Sequence, residues 1–420
     1  MSETLGNRPW LSAAPWLLLA NICRNLGLVA ILILLAQLTD GETVGSYALA
    51  LAITAPVFIF AEFGLRNVFL TMRLSYGFRA YVDVRVGLIA GAMAVSCALG
   101  AIFSPEGFWV IALVALLKFS DSLADLLSAP LQKYQAERKI FRGYLVNAAG
   151  ATVCAAIVLW TTRSLELTLA SLIAVSATVV VSLMVRPAVR LVRAHENQVV
   201  STDGRSVRML IARAGLPVGA AAALLALIST TPQYFLSPTF GLEAVGQFAV
   251  FLYVVAAAEQ FVGALSTSWI PQGRRLLESS TSNPQFVRLV WSITARTTLY
   301  IAPLAVLGTF LASLVIPLVF GELYTLGLAI AAPLTVGVCV LPAVYFSEVG
   351  LLIKNLYSRA VLVSGASAAI AAGTCAVVIP QWGVPGALWA TIVAFCARAG
   401  LTFLMLAVSR PAADASMSAH

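Results

Sequence analysis

Residues 42–48 read Glu-Thr-Val-Gly-Ser-Tyr-Ala, and residues 243–249 read Glu-Ala-Val-Gly-Gln-Phe-Ala. Four of the seven positions are identical, and a fifth pairs tyrosine with phenylalanine. The copies lie about 200 positions apart in a chain of 420 residues. This spacing predicts two related halves, and each copy is expected to begin a helix at the same place in its half.

The composition excludes an ordinary soluble domain. Hydrophobic residues make up 60% of the chain and charged residues 10%. In soluble domains, apolar residues average about 45–50% and charged residues about 25%. A protein core cannot absorb this excess, so much of the apolar surface must face lipid. The net charge of +8 would suggest nucleic-acid binding in a soluble protein. Here the placement of the basic residues explains it, and we expect no nucleic-acid partner.

Twelve apolar stretches separated by polar loops are candidates for membrane spans, each of which needs about 20 mostly apolar residues. The predicted spans are Trp16–Leu38, Tyr47–Leu65, Val86–Phe103, Phe108–Leu127, Tyr144–Trp160, Leu167–Val185, Leu210–Phe235, Ala244–Ile270, Val290–Ile316, Tyr324–Phe346, Val361–Ile379 and Val384–Val408.

The loops between these stretches alternate in charge. Alternate loops and the chain ends hold nearly all of the Lys and Arg residues outside the spans, including Arg85 just before the third stretch, whereas the other loops hold only Arg163. Basic loops are typical of the cytoplasmic side, so both termini are expected in the cytoplasm. The predicted fold is an all-α polytopic membrane protein with about 12 transmembrane helices.

The halves are predicted to be two six-helix bundles related by a pseudo-twofold axis along the membrane normal, because six spans separate the repeated heptads. We place the N-terminal bundle at 1–195, a cytoplasmic linker at 196–208 and the C-terminal bundle at 209–420. Transporters with such repeats bind substrate between the halves. The six cysteines all fall in apolar stretches, and the two histidines lie in a polar loop and at the tail. We therefore expect no disulfide, metal ion or cofactor.

Ten ionisable residues fall within or at the ends of the predicted spans. An ionisable group inside a membrane costs about 2.5–3.5 kcal/mol on insertion scales, so it faces either a partner or a polar cavity. The sequence leaves both interpretations open. The residues are Arg24, Lys118, Arg213, Arg296, Arg398, Glu62, Asp121, Asp125, Glu259 and Glu348.

One helix face and one arginine are the most informative of these charges. Lys118, Asp121 and Asp125 have the spacing of a single helix face, which is expected to point into the bundle. Arg24 has no nearby acid on its own helix, and arginine is a natural bidentate partner of phosphate and carboxylate. Candidate substrate-binding residues are Arg24, Asn25, Lys118, Arg213, Arg296 and Arg398, and candidate coupling or cavity acids are Asp121, Asp125, Glu259 and Glu348.

Three further expectations concern individual charges. Arg213 and Arg398 lie near the cytoplasmic ends of their spans and could extend their side chains towards the headgroups. Arg296 lies deeper but shares that alternative. Glu62 and Arg66 are four positions apart and are predicted to form a local pair.

Several segments resemble the O-antigen and exopolysaccharide flippases of the multidrug/oligosaccharidyl-lipid/polysaccharide exporter superfamily. The resemblance spans nearly the whole chain and is carried by short motifs. These motifs lie at 40–48, Phe63-Gly64-Leu65, 122–133, 350–354 and 382–387. Many relatives also carry an acid near the outer end of the seventh span, where this chain has Thr230-Thr231-Pro232-Gln233.

The resemblance implies a flippase that moves an undecaprenyl-diphosphate-linked oligosaccharide from the cytoplasmic to the periplasmic leaflet by alternating access. Its setting would be the bacterial inner membrane, with the lipid-linked oligosaccharide, the bilayer and polysaccharide polymerase or other assembly proteins as partners. It also implies a cationic cavity, which Arg24 fits.

Two other functions stay open. A multidrug or other solute antiporter of the same superfamily is an alternative, although the first span carries Arg24 and Asn25 and no acid. A membrane-embedded polysaccharide polymerase or glycosyltransferase fits less well, because the predicted outward loops are short. No nucleotide-binding motif occurs in the sequence, and we do not expect an enzyme.

Overall fold

The computed structural model of the chain describes residues 9–71, 77–194, 204–279, 283–354 and 356–409. These residues are almost entirely helical, and none of them forms a β-strand. The elements are α1 (Pro9–Leu38), α2 (Gly41–Glu62), α3 (Leu65–Thr71), α4 (Phe78–Phe103), α5 (Phe108–Lys133), α6 (Glu137–Thr162), α7 (Leu165–Val179), a π-helical segment (Val180–Val185), α8 (Arg186–Ala194), α9 (Gly204–Ser268), α10 (Ile270–Ser279), α11 (Asn283–Phe320), a 3₁₀ turn (Glu322–Tyr324), α12 (Leu328–Ile353) and α13 (Tyr357–Val408).

Nine helices in the described ranges are long and apolar enough to cross a membrane, and the chain is a multi-pass membrane protein. Two of them are too long for one crossing. At about 1.5 Å per residue the 65 residues of α9 exceed the hydrocarbon thickness about threefold. α9 turns at Gly241 with φ 79° and α13 turns at Gly383 with φ 58°. α5 is long enough to span but carries several charges, and the count of twelve spans stays a prediction.

The repeated heptad occupies equivalent places in the fold. Residues 42–48 form the first turns of α2, and residues 243–249 follow the turn at Gly241. Both copies show the same sequence of exposed, intermediate and buried positions at all seven residues. The sequence repeat therefore reflects a repeated packing environment.

Helix lengths also repeat along the chain. α5 and α12 have 26 residues each. α6 ends at Arg163 with φ 51°, and Gly383 interrupts α13 with φ 58° at the matching place. At the start of α2, Asp40 is the N-cap, and its Oδ1 accepts a 2.8 Å hydrogen bond from the Thr43 N–H. Hydrogen bonds from the Thr43 side chain and backbone lower the pKa of Asp40.

The chain divides into two compact units, residues 1–223 and 224–420. In the first, α1 packs on α6, α2 packs on α4 and α5, and α5 packs on α7. In the second, α12 packs between α11 and α13. Much of the predicted linker at 196–208 lies outside the described residues, so the predicted domain bounds stay a prediction. Large apolar side chains such as Phe103, Trp160 and Leu318 are exposed, as expected for a lipid-facing surface.

Candidate functional site

A polar cavity of about 220 Å³ lies inside the first unit, between α1, α2, α5, α6 and α7. Its walls are mainly aliphatic and aromatic, as is usual for binding cavities with a few polar groups. The polar residues that line it are Arg24, Glu62, Lys118, Asp121, Asp125, Tyr144, Asn147 and Ser176.

Local helix geometry brings these side chains together. The predicted face of α5, with Lys118, Asp121 and Asp125, does line the cavity. α1 approaches α6 closely at Gly27, where an added Cβ would lie 3.0 Å from the Cβ of Ala148. Glycine at this position therefore allows the close packing of the two helices that carry cavity residues.

Asp125 is the acceptor at the centre of an ion-pair network. Its Oδ1 lies 3.2 Å from Arg66 Nη1, and its Oδ2 lies 3.2 Å from Arg85 Nη2. Arg85 Nη1 also donates to Ser122 Oγ at 3.3 Å, and Arg66 Nη2 donates to Gln132 Oε1 at 2.9 Å. Two cations therefore compensate this carboxylate.

Arg85 is a residue of this network that the sequence does not predict. The alternation of charged loops places it outside the third span, but α4 begins at Phe78 and the Arg85 side chain is 0% exposed. The predicted local pair of Glu62 and Arg66 is also wrong. α2 ends at Glu62, and Phe63 and Gly64 adopt positive φ values. The chain therefore turns between the two residues, and Arg66 reaches Asp125 instead.

Four other charges in the cavity have no such partner. Among the described residues, Arg24, Lys118, Glu62 and Asp121 form no ion pair within 4.0 Å. Arg24 still interacts electrostatically with Asp121 and Glu62 over a longer distance. The Oδ1 atom of Asn147 is buried without a hydrogen-bond partner in the same wall. The cavity thus holds donors and acceptors available to a ligand or to water.

The size of the cavity restricts what it can hold. Sites that enclose drug-sized ligands have volumes of about 300–1,000 Å³, and this cavity has about 220 Å³. It can accept a small anion, a diphosphate group or several water molecules, each of which takes about 30 Å³ in the liquid. It cannot enclose an oligosaccharide.

A second group of charges lies in the second unit. Arg398 Nη2 donates to Glu348 Oε2 at 2.8 Å, and their side chains are 7% and 33% exposed. The alternative that Arg398 extends towards the headgroups is therefore wrong. Glu259 on α9 is half-buried and interacts with Arg398 electrostatically, without forming an ion pair with any described residue. Tyr345 packs one turn away, against Gly263.

The remaining predicted residues do not join either group. Asn25 is half-buried on α1 but does not line the cavity. Arg213 on α9 and Arg296 on α11 are exposed on the surfaces of their helices. In the described ranges, no cluster of three or more His, Cys, Asp or Glu residues is arranged to hold a metal ion.

No protein-family model matches the chain, and no curated protein sequence matches it. Solved structures do match it. The lipid II flippase MurJ in an inward closed conformation superposes with a TM-score of 0.65 and 10% identity, over 94% of this chain and 90% of that one. A point mutant of the Vibrio cholerae MATE transporter VcmN superposes with a TM-score of 0.60 and 14% identity, over 98% of this chain and 99% of that one.

A MOP superfamily transporter from Pyrococcus furiosus, described as having a binding pocket of reverse polarity, gives a TM-score of 0.51 and 12% identity over 95% of this chain and 94% of that one. All three likenesses cover nearly the whole of both chains, at sequence identities that establish the fold alone. The chain therefore has the helical fold that the lipid II flippase shares with transporters of the MOP superfamily.

Proposed function

We propose that this protein is a transporter that flips an undecaprenyl-diphosphate-linked oligosaccharide to the periplasmic leaflet of the bacterial inner membrane. The observation that carries the proposal is Arg24, which lines a polar cavity inside a membrane helix bundle and has no ion-pair partner among the described residues. A guanidinium group binds phosphate oxygens through two parallel hydrogen bonds. The solved structure with the same fold is that of a flippase of lipid II, as its name states.

The volume of the cavity supports a role in binding only one part of the substrate. A diphosphate fits, whereas the glycan and the lipid chain must lie elsewhere. Arg24 and Lys118 would bind the diphosphate, with Asn147 as a further polar contact. A diphosphate carries about two negative charges, so an inside-negative potential of 100 mV would favour its outward movement by roughly 4–5 kcal/mol.

The unpaired acids favour a second candidate function, a cation-coupled antiporter. Glu62 and Asp121 line the same cavity without an ion pair to any described residue, and a carboxylate of this kind can accept a proton or a cation. Glu259 in the second unit is a further candidate for coupling, because it also lacks a close counter-charge in the described part of the chain. Coupling and flipping are compatible, since both require the cavity to open alternately to the two sides.

The direct test uses purified protein in liposomes with a fluorescent undecaprenyl-diphosphate oligosaccharide. A membrane-impermeant quencher measures how fast the label exchanges between leaflets. We expect Arg24→Ala to slow exchange at least tenfold, and Arg24→Lys to retain part of it because the charge is kept. Arg142→Ala is the matched control, because Arg142 is exposed on α6 and does not line the cavity.

Exchange at the wild-type rate in Arg24→Ala would remove this residue from the site. If wild-type liposomes show no exchange of the lipid but expel a cationic dye when a pH gradient is applied, the antiporter is the correct function. A fluorescent phosphatidylcholine, which lacks the diphosphate, reports whether the protein scrambles lipids without selectivity.

A further inference from the structure

Three basic side chains border a cavity of about 420 Å³ at one end of the first unit, away from the polar cavity around Arg24. Lys139 comes from the first turn of α6, and Arg186 and Arg190 come from α8. Ser182, Pro187 and Leu191 complete the lining, and none of the described residues in it is acidic. We call Lys139, Arg186 and Arg190 the basic cluster.

The backbone is shaped to bring these residues together. The helix that begins with α7 widens into a π-helical segment at Val180–Val185, directly before Arg186. π-Helical turns inside helices are rare and often mark functional sites. Arg186 and Arg190 are four positions apart, so they share one face of α8. Opposite them, Ala188 is fully buried.

α6 approaches the π-helical segment unusually closely. A Cβ added at Gly143 would lie 2.8 Å from Cε of Met184, so the flexible end of the methionine side chain would have to shift to admit it. Gly143 lies one turn after Lys139 on α6, which places Lys139 beside the segment that leads into Arg186. Gly143 thus leaves room for the Met184 side chain beside the basic cluster.

These charges have no counter-ion within the described part of the chain. The side chains of Lys139, Arg186 and Arg190 form no ion pair and no hydrogen bond there. The nearby Glu137 is buried and, two positions from Lys139, points to a different side of α6. Three cations around one cavity repel each other, and a bound anion would relieve that repulsion.

The surrounding surface identifies the kind of anion. From the basic cluster, exposed apolar side chains continue along the same face of α6, including Val146, Val153 and Ile157. They end at Trp160, which is 76% exposed. Lys139 and Trp160 are 21 positions apart, which is about 31 Å of helix and close to the hydrocarbon thickness of about 30 Å. The basic cluster therefore lies at headgroup level, with tryptophan at the opposite interface.

We propose that the basic cluster binds the phosphate headgroup of an anionic phospholipid, whose acyl chains lie along the exposed apolar surface of α6. The phosphate oxygens accept hydrogen bonds from Lys139, Arg186 and Arg190, and Ser182 lies within the same cavity. Basic cavities at the ends of transmembrane helices are known to recognise such headgroups. This site is distinct from the polar cavity around Arg24 and does not depend on the proposed function.

The test measures displacement of a fluorescent phosphatidylglycerol from the purified full-length protein in neutral detergent. We expect unlabelled phosphatidylglycerol to displace the probe at concentrations at least tenfold lower than phosphatidylcholine does. The triple substitution Lys139→Gln, Arg186→Gln and Arg190→Gln should weaken probe binding at least tenfold. Arg193→Gln, on the same helix but outside the cavity lining, should change it less than twofold.

Equal displacement by phosphatidylcholine, or unchanged binding in the triple variant, would overturn the proposal. Displacement by millimolar inorganic phosphate as effective as that by the lipid would assign the cluster to a free anion instead and would equally overturn it. If the triple variant does not fold, the single variant Arg186→Gln decides the question. It should weaken probe binding at least threefold, and unchanged binding there would contradict the site.

Discussion

Arg85 and Asp125 form an ion pair of 3.2 Å in which the arginine side chain is completely buried. Arg85 lies on α4 and Asp125 lies on α5, so the pair joins two neighbouring helices beside the polar cavity. The second cation on Asp125, Arg66, is 25% exposed. Asp125 therefore keeps a second cationic partner if Arg85 is removed, whereas the buried Arg85 loses its ion pair if Asp125 is removed.

The substitution Asp125→Asn should destabilise the protein strongly. It removes the ion-pair partner of the buried Arg85 guanidinium and leaves it with the longer-range interaction with Glu62. Breaking a buried pair from one side typically costs about 3–5 kcal/mol. Thermal unfolding in detergent, followed by tryptophan fluorescence, measures the change.

The double variant Arg85→Met with Asp125→Leu is the control. Replacing both partners of a buried pair with apolar residues is often neutral or stabilising, so the double variant should unfold at a higher temperature than Asp125→Asn. If the double variant is as unstable as the single one, Asp125 stabilises the fold through Arg66 rather than through Arg85.

The two acids in the second unit should respond differently to the same change. Glu348→Gln removes the partner that lies 2.8 Å from the buried Arg398, and we expect a loss of about 1–3 kcal/mol. Glu259→Gln removes a half-buried carboxylate that has no ion pair with a described residue, so its effect on unfolding should stay within about 1 kcal/mol. Unfolding curves of both variants, recorded under the same conditions, make the comparison.

The comparison of Glu348→Gln with Glu259→Gln also distinguishes a structural role of Glu259 from a role in transport. If Glu259 takes part in coupling, Glu259→Gln should change the pH dependence of transport while leaving the unfolding temperature nearly unchanged. An equal loss of stability in both variants would show that Arg398 relies on both carboxylates, and Glu259 would then be a structural residue.

The sequence predicts the framework of this fold well, because the framework rests on patterns of several residues. The heptad repeat corresponds to a repeated burial pattern, and the spacing of Lys118, Asp121 and Asp125 correctly places all three on the cavity wall. A predicted helix end that is wrong by a few residues does not change these patterns, because the residues that share a helix face are set by their spacing within the helix.

The errors arise where one residue decides the outcome. The apolar stretch begins at Val86 and so leaves Arg85 in a loop, although the helix begins earlier, at Phe78. A pair between Glu62 and Arg66 requires a continuous helix, which the positive φ values that follow Glu62 interrupt. Gly64 is the signal in the sequence that could reveal this break. The partner of Arg398 depends on packing between α12 and α13, which spacing along one chain does not reveal.

Gly215 and Gly219 belong to no motif in the sequence, and they provide a third prediction. They are four positions apart on α9 and face the turn at the end of α2. A Cβ at Gly215 would lie 2.3 Å from the carbonyl oxygen of Phe63, and one at Gly219 would lie 2.7 Å from that of Phe60. Small residues at this spacing allow helices to pack closely in membranes.

Gly215→Ala should therefore destabilise the protein by about 1–3 kcal/mol, because backbone must move to admit the methyl group. Gly87→Ala is the matched control, since an added Cβ there meets nothing within 4 Å. Alanine in a helix interior is favoured over glycine by roughly 0.5–1 kcal/mol, so the control should be neutral or stabilising. Chemical or thermal unfolding of the two variants distinguishes them, and equal behaviour would contradict the close contact.

Lys354, at the end of α12, should make stability depend on pH. Its Nζ donates to Asn283, to Ser409 Oγ at 2.9 Å and to the carbonyl oxygen of Leu406 at 3.5 Å, so it joins the ends of three helices. Burial, with a smaller contribution from Arg359, lowers the pKa of Lys354 to about 8. Lysine in an unfolded chain has a pKa of about 10.4.

Between these two pKa values the unfolded chain binds more protons than the folded one, so stability from this group rises as the pH increases from about 8 towards 10. Lys354→Met lacks the titrating group and should lose that increase. The unfolding temperatures of wild type and Lys354→Met at pH 7.5 and pH 10 give the difference directly. The same pH response in both proteins would show that another group is responsible. A fall in stability from pH 7.5 to pH 10 in the wild type alone would mean that the charged amine stabilises the junction through its hydrogen bonds.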